Sequence, residues 1–312
     1  MTFRLQSAWL LEAVADISTV DSVFFPFIHR FSALNWLSRR DFSLSVNAYS
    51  ASQAMLLRAW LDGRNGAFSD RNLQKFNQQI KNPLDLSLNP FRAWKDRLFD
   101  RQQLDYLFYW REAAFEIEEE TQREIFWSAV YQIMSCWLSN RVCEMPVECR
   151  PDEMMGLMLN RHAEFIKGRE AKISICNSSL EELPAEKTCL TVFPLIFGDE
   201  ENAEITLQVV FDAWQNGHDD IEQAKRQMRV QLRKYQIDFS KPDDHYLINR
   251  LSANSKVAAL IWSGLDLPPA LYEQELVRPL QNSLSTRYQK SRLLMKAVDR
   301  TCDAYDYLLL FY

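Results

Sequence analysis

Glycine is scarce in this chain, with seven residues among 312. Loops that cradle phosphates or dinucleotides need glycine where backbone approaches the ligand, so the shortage argues against an intact nucleotide loop. The six cysteines, Cys136, Cys143, Cys149, Cys176, Cys189 and Cys302, include no C-x-x-C pair and are too sparse for a disulfide scaffold. They are expected to be reduced thiols, several of them buried, in a cytoplasmic protein. Long apolar runs are missing too. The most apolar helical stretch, Ile125 to Leu138, is broken by Ser128, Gln132 and Ser135 and is too short to cross a bilayer. The stretch from Met1 to Leu11 is followed at once by Glu12 and Asp16 and lacks the pattern of a signal peptide. Nor is there a basic excess. The formal net charge of -6 counts against an autonomous nucleic-acid binder, although local basic faces remain open. What the chain does have is 47% hydrophobic residues, nine tryptophans and nineteen phenylalanines, enough for a large core in one large or two small domains.

Periodicity divides the chain into four parts. Residues 1–65 alternate helix and strand: a helical pattern over Leu5–Ile17, a short strand run over Ser22–Phe27, a helix over Phe31–Arg39 and an alternating strand over Phe42–Val46. A further helix, capped by Ser50, runs to Leu61 with Gly63 beyond its end. This β-α-β-α order predicts a parallel sheet covered by helices. Residues 66–165 read as a helical insertion that includes a long helix over Glu116–Arg141. Residues 166–218 return to strands, with Lys172–Cys176 alternating and Cys189–Phe197 nearly continuously apolar until Pro194 ends its regular part. Residues 219–312 read as a helical C-terminal region. Apolar stripes there fall at Ile221, Ala224, Met228, Leu232 and Tyr235, and at Leu294, Val298, Cys302, Tyr305 and Leu309 within Arg287–Leu309.

Four short segments fall where motifs belong in one family. The first strand runs into Phe24-Phe25-Pro26-Phe27-Ile28-His29-Arg30-Phe31, the second into Val46-Asn47-Ala48-Tyr49-Ser50, the third into Ile175-Cys176-Asn177-Ser178-Ser179, and the fourth contains Thr191-Val192-Phe193-Pro194-Leu195-Ile196. In order and spacing, over roughly residues 3–212, this resembles the DNA methyltransferases that methylate exocyclic amino groups with S-adenosylmethionine. The resemblance implies a Rossmann-like, methyltransferase-type parallel sheet carrying the helical insertion and the helical C-terminal region. It also implies lost chemistry. Pro26 and Phe27 keep the family's Pro-Phe, but the preceding acid is Phe25 and the two glycines are His29 and Phe31. Asn47 replaces the ribose-binding carboxylate, and Ser179 stands at the acid near adenine. Phe193 replaces the polar residue that accepts from the target amine, with only Pro194 surviving beside it. Methyl transfer needs fixed acceptors and a cofactor held in line, and phenylalanine supplies neither. The resemblance therefore implies no bound cofactor, no catalytic residue, and a structural or interaction subunit that works with another protein in a nucleic-acid-processing system.

Other constellations have plainer accounts. His218-Asp219-Asp220 and Asp243-Asp244-His245 contain metal-ligand residue types, yet acids at a helix start are explained by capping and the helix dipole, so no metal is expected. His162 and Cys149 lack the context of a nucleophilic pair. Trp60, Trp94, Trp110, Trp127 and Trp137 are expected in the core rather than as base-stacking platforms. Arg226, Arg229 and Arg233 recur on one helix face with Lys225 and Lys234 beside them, and Arg287, Lys290, Arg292 and Lys296 are candidates to extend it. A solvated face accounts for this pattern. The alternative is a nucleic-acid-binding protein that contacts phosphates, DNA included, through basic C-terminal helices. An enzyme of unrecognised chemistry is the remaining reading.

Overall fold

The computed structural model describes residues 4–15, 17, 19–27, 34, 37, 41–61, 67–69, 71–74, 85–138, 151–167, 172–194, 203–233, 242–265, 274, 277–299 and 302–312. The chain forms two compact units. One comprises Met1–Ala54, Glu170–Glu200 and Gln231–Tyr312; the other comprises Met55–Arg169 and Glu201–Val230.

The first unit is α/β and Rossmann-like. After helix α1 (Arg4–Ala15) come strands β1 (Ser22–Phe25), β2 (Ser43–Asn47), β3 (Lys172–Cys176), β4 (Leu190–Pro194), β5 (Val257–Leu265), β6 (Ser291–Asp299) and β7 (Cys302–Phe311). They form a seven-stranded sheet in the order β3-β2-β1-β4-β5-β7-β6. Neighbours from β3 to β5 are parallel, whereas β7 runs antiparallel to both β5 and β6. Central strands are apolar throughout: Leu190, Val192 and Phe193 of β4 and Val257 to Leu260 of β5 are buried, as expected for strands covered on both faces. The edge strand β3 instead exposes Lys172, Ser174 and Cys176 and half-buries Ile173 and Ile175. A charged, short edge discourages pairing with other chains. The described part of β4 runs to Pro194, which brings no ladder donor, and the residues that follow lie outside the described set.

The C-terminal third corrects the sequence reading. Residues 257–265, 291–299 and 302–311 are strands, so 219–312 is not a helical region and the stripe assigned to Arg287–Leu309 does not lie on a helix. The reason is physical: Leu308 to Phe311 form a continuous apolar run, which fits a doubly buried strand as well as a helix, and spacing alone does not separate the two. Helical structure in this unit includes α8 (Pro242–Leu251) and α9 (Arg278–Leu284), each with proline near its start, where the missing N–H costs nothing. The residues expected to form a helix over Phe31–Arg39 lie largely outside the described set; Leu34 and Leu37, within it, are helical and buried.

The second unit is helical, with α3 (Arg101–Phe115), α4 (Glu120–Leu138), α5 (Pro151–Ile166) and α6 (Ala203–Asn216). Helices α2 (Ala51–Leu61) and α7 (Ile221–Arg233) each cross a boundary between the two units. Ser50 caps α2 by accepting from Gln53 N–H at 3.1 Å, and Gln53 Oε1 accepts from Tyr49 N–H at 2.9 Å. Gly63 lies outside the described residues. Asp100 and Gln103 form a reciprocal capping box at the start of α3. Of the long helix expected over Glu116–Arg141, Glu120–Leu138 form α4, residues 116–119 are not helical, and residues 139–141 lie outside the described set. Trp94 and Trp110 are buried, whereas Trp60, Trp127 and Trp137 are half-buried. Trp110 and Trp137 stack with centroids 5.7 Å apart, and Trp214 donates its indole N–H to Leu107 O at 2.8 Å. Arg58 reaches the buried Glu124 through Nε at 3.0 Å and through Nη2. Burial pushes the Glu124 carboxyl pKa up, and Arg58 partly opposes this. Cys136 is disulfide-bonded, which overturns the expectation of reduced thiols at that position. No helix of the described residues is long and apolar enough to cross a membrane.

Candidate functional site

In an open parallel α/β sheet, ligands bind beyond the carboxyl ends of the strands, where the chain reverses its direction of strand addition. Here that point lies between β1 and β4. The chain adds β2 and β3 on one side of β1, then returns to place β4 on the other. Phe25, Pro26 and Phe27 stand at the end of β1, and Phe193 and Pro194 at the end of β4. Phe25, Pro26, Phe27 and Phe193 are buried, Phe193 with no exposed surface, and Pro194 is half-buried. Buried apolar side chains therefore stand at the two strand ends that flank the position where this type of sheet takes a ligand. His29 and Phe31 lie outside the described residues.

The carboxyl ends of β2 and β3 carry polar residues, and these bond to one another. Asn47 is fully buried. Its Oδ1 accepts from Ser178 N–H at 2.9 Å and from the Cys176 thiol at 3.3 Å, while its Nδ2 donates to Ser178 O at 2.9 Å. An amide offers two donors and one acceptor oxygen, so Asn47 spends both ends on the turn after β3. Asn177, with its amide nitrogen toward Ala48 O, donates at 3.0 Å and accepts from Ala51 N–H at 3.2 Å, which caps α2. The turn beginning at half-buried Ser179 is held from α8: Arg250 donates to Leu183 O at 2.6 Å and to Leu180 O. Partial burial, with the charge of Glu186 nearby, pushes the Cys176 thiol pKa up. A nucleophilic thiolate needs the opposite shift, so Cys176 serves here as a neutral donor to Asn47.

Sequence reasoning located Asn47 and Ser179 by their place after strands but missed the roles of Asn177 and Arg250. Arg250 and Leu180 stand 70 positions apart, beyond any local pattern. The other candidates disperse. Asp220 caps α7, accepting from Gln223 N–H at 2.9 Å, and Asp243 and Asp244 occupy the first turn of α8. Among the described residues, no group of three or more His, Cys, Asp or Glu is arranged to hold a metal ion. Arg226 and Arg229 are exposed on α7 opposite buried Met228. Arg233 continues that helix, with its side chain outside the description, and Lys234 lies outside the described residues. Arg287 and Lys290 precede β6 and Arg292 lies on it, so the basic surface is not extended by a further helix. The C-terminal Leu308 to Phe311 are buried in β7. Neither the protein-family models nor the curated proteins compared with this chain match it.

Proposed function

We propose that this chain is a catalytically inactive, methyltransferase-like protein that acts as a structural or interaction subunit beside another protein in a nucleic-acid-processing system. One observation carries the reading: where a Rossmann-like sheet takes its ligand, Phe25, Phe27 and Phe193 are packed into the core. The polar groups at the neighbouring strand ends support it, because Asn47 and Asn177 are committed to internal hydrogen bonds. The strand sequence 3-2-1-4-5 through the parallel part of the sheet agrees with doubly wound nucleotide-binding folds. A fold persists on apolar patterning after its reactive groups are replaced, so the scaffold can outlive the chemistry.

Isothermal calorimetry of the full chain with S-adenosylmethionine tests the loss of cofactor binding. No heat of binding is expected at ligand concentrations up to about 1 mM, which corresponds to roughly 4 kcal/mol of affinity. Micromolar binding would refute the reading. The subunit role is tested by purification at native expression level, where a stoichiometric second protein is expected and a chain that purifies alone counts against it.

A further inference from the structure

Two exposed apolar side chains of the helical unit sit in opposite electrostatic surroundings. Phe115, the last residue of α3, is 51% exposed. Its ring is held in place: the Arg111 guanidinium lies 4.9 Å above its centroid, and the Trp127 ring meets it edge-on at 6.1 Å. Arg111 is itself tied to Trp214 O at 3.1 Å and to Glu112 at 3.0 Å. Carboxylates outnumber cations in this stretch of chain, where Arg111 and Arg123, the latter over the Trp127 ring, are the basic residues. Glu112 lies one turn back, and exposed Glu116, Glu118, Glu119 and Glu120 follow; no Lys or Arg falls between Glu112 and Glu120. Val230, on α7, is 59% exposed and has the reverse setting. Arg226 stands one turn before it and Arg229 immediately before it, both exposed. Lys225 lies on the same helix, paired with Glu222 at 3.6 Å.

Each surface carries an apolar centre, and the charges around the two centres are opposite. Both are exposed within their own molecule, so the chain does not cover one with the other. We propose that the Phe115 corner of one copy docks on the Val230 face of α7 of a second copy. An ordered aromatic in a charged rim is the kind of anchor that dominates protein interfaces. The apolar centre of the basic face favours a folded protein over a phosphate backbone, which offers charge but no apolar partner. Because the two patches differ, the contact is head-to-tail, and each added copy leaves one corner and one face open. Opposed patches act at contact distance, while the overall charge of -6 is screened beyond about 10 Å at 0.1 M salt. The inference concerns surfaces of the helical unit and does not rest on the methyltransferase-like reading.

Sedimentation velocity on the full chain tests it. Association rising with concentration is expected at about 0.05 M salt, weakening by about tenfold or more at about 0.5 M as the Debye length shrinks. Arg226→Ser with Arg229→Ser removes the face, and Phe115→Ser with Glu116→Ser removes the corner; each variant alone should sediment as a monomer. Mixed in equal amounts they should form a dimer and stop there, because the first keeps its corner and the second its face. Should Phe115→Ser melt early, Glu116→Gln with Glu119→Gln tests the same corner through exposed positions alone. A wild-type monomer at about 100 µM and low salt, well above the Kd of a specific interface, overturns the proposal. So does assembly unchanged in either variant, or a mixture that forms no dimer. Duplex DNA bound through Arg226 and Arg229 by a monomeric wild type would assign the face to nucleic acid instead.

Discussion

Replacing Arg58 with Met should destabilise the helical unit in a way that depends on pH. Glu124 has a side chain only 5% exposed, whereas that of Arg58 is 43% exposed. Removing the guanidinium therefore strands a buried carboxylate, while the reverse change leaves an arginine that water can still solvate. Breaking a buried ion pair from one side costs about 3–5 kcal/mol, and because Arg58 is half-solvated the lower end, about 3 kcal/mol, applies at pH 8. Burial raises the Glu124 pKa above 4.5, with Arg58 acting against that rise, so the Met variant should raise it further. A carboxyl with a raised folded pKa contributes stability that is fully present below its unfolded pKa and is lost as pH climbs through the folded value. The gap between wild type and Arg58→Met should accordingly shrink between pH 8 and pH 5, as the stranded carboxyl takes up a proton. Glu124→Gln should cost about 1 kcal/mol or less and flatten the pH dependence, since an amide keeps an acceptor for Arg58 without a buried charge. Urea unfolding at a series of pH values measures all three proteins. A loss below about 1 kcal/mol at pH 8, or the same loss at every pH, would refute the reasoning, because either means that Glu124 is not a desolvated charge held by Arg58.

Gly156→Ala in α5 should stabilise the chain by about 1 kcal/mol in urea unfolding, because an added Cβ meets nothing within 4 Å and alanine is the better helix former. Gly217→Ala should do the opposite: Gly217 has φ +73°, and a Cβ there lies 2.8 Å from Arg111 Nη2, so a loss of about 1–2 kcal/mol is expected, with reduced near-ultraviolet signal from the displaced aromatic cluster. Asn47→Asp places an acid where the proposed methyltransferase resemblance would have one, yet it should lower stability by about 1–3 kcal/mol and still give no calorimetric signal with S-adenosylmethionine, because a carboxylate cannot donate to Ser178 O. An unchanged melting midpoint in Asn47→Asp would mean that the amide clamp contributes nothing.

The first four strands were legible because each announces itself locally. Alternation marks Ser43–Asn47 and Lys172–Cys176, and a continuous apolar run stopped by Pro194 marks β4. Helix α2 was legible from its Ser50 cap, and α7 from the segregation of arginines from Met228. The C-terminal strands were not. Val257–Leu260 and Leu308–Phe311 are buried throughout, and a fully buried segment loses the contrast between faces on which periodicity depends. The candidate site was half legible: bulky residues at 25, 27 and 193 could be placed against a motif, but not that Asn47 would clamp Ser178, 131 positions away. Long-range hydrogen bonds leave no local trace, and the internal use of Asn177 and Arg250 went unread for the same reason.

The ends of the helical insertion meet. Trp60 and Phe165 pack edge to face with centroids 4.9 Å apart, and His162 Nε2 lies 2.7 Å from Ala59 O. A chain that leaves and re-enters at one place lengthens the backbone without stretching the sheet it interrupts. The β2–β3 ladder, which joins residues from Ser43 with residues from Lys172, would otherwise have to close a very long loop. Once α2 and α5 are together, the entropic search for that ladder is that of a short connection, so the interruption is nearly neutral for sheet formation provided that it folds first. Pairing of β1 with β4, where Cys189 N–H reaches Ser22 Oγ across 167 positions, inherits the same advantage. The β6–β7 hairpin needs no such help and is free to form at any stage.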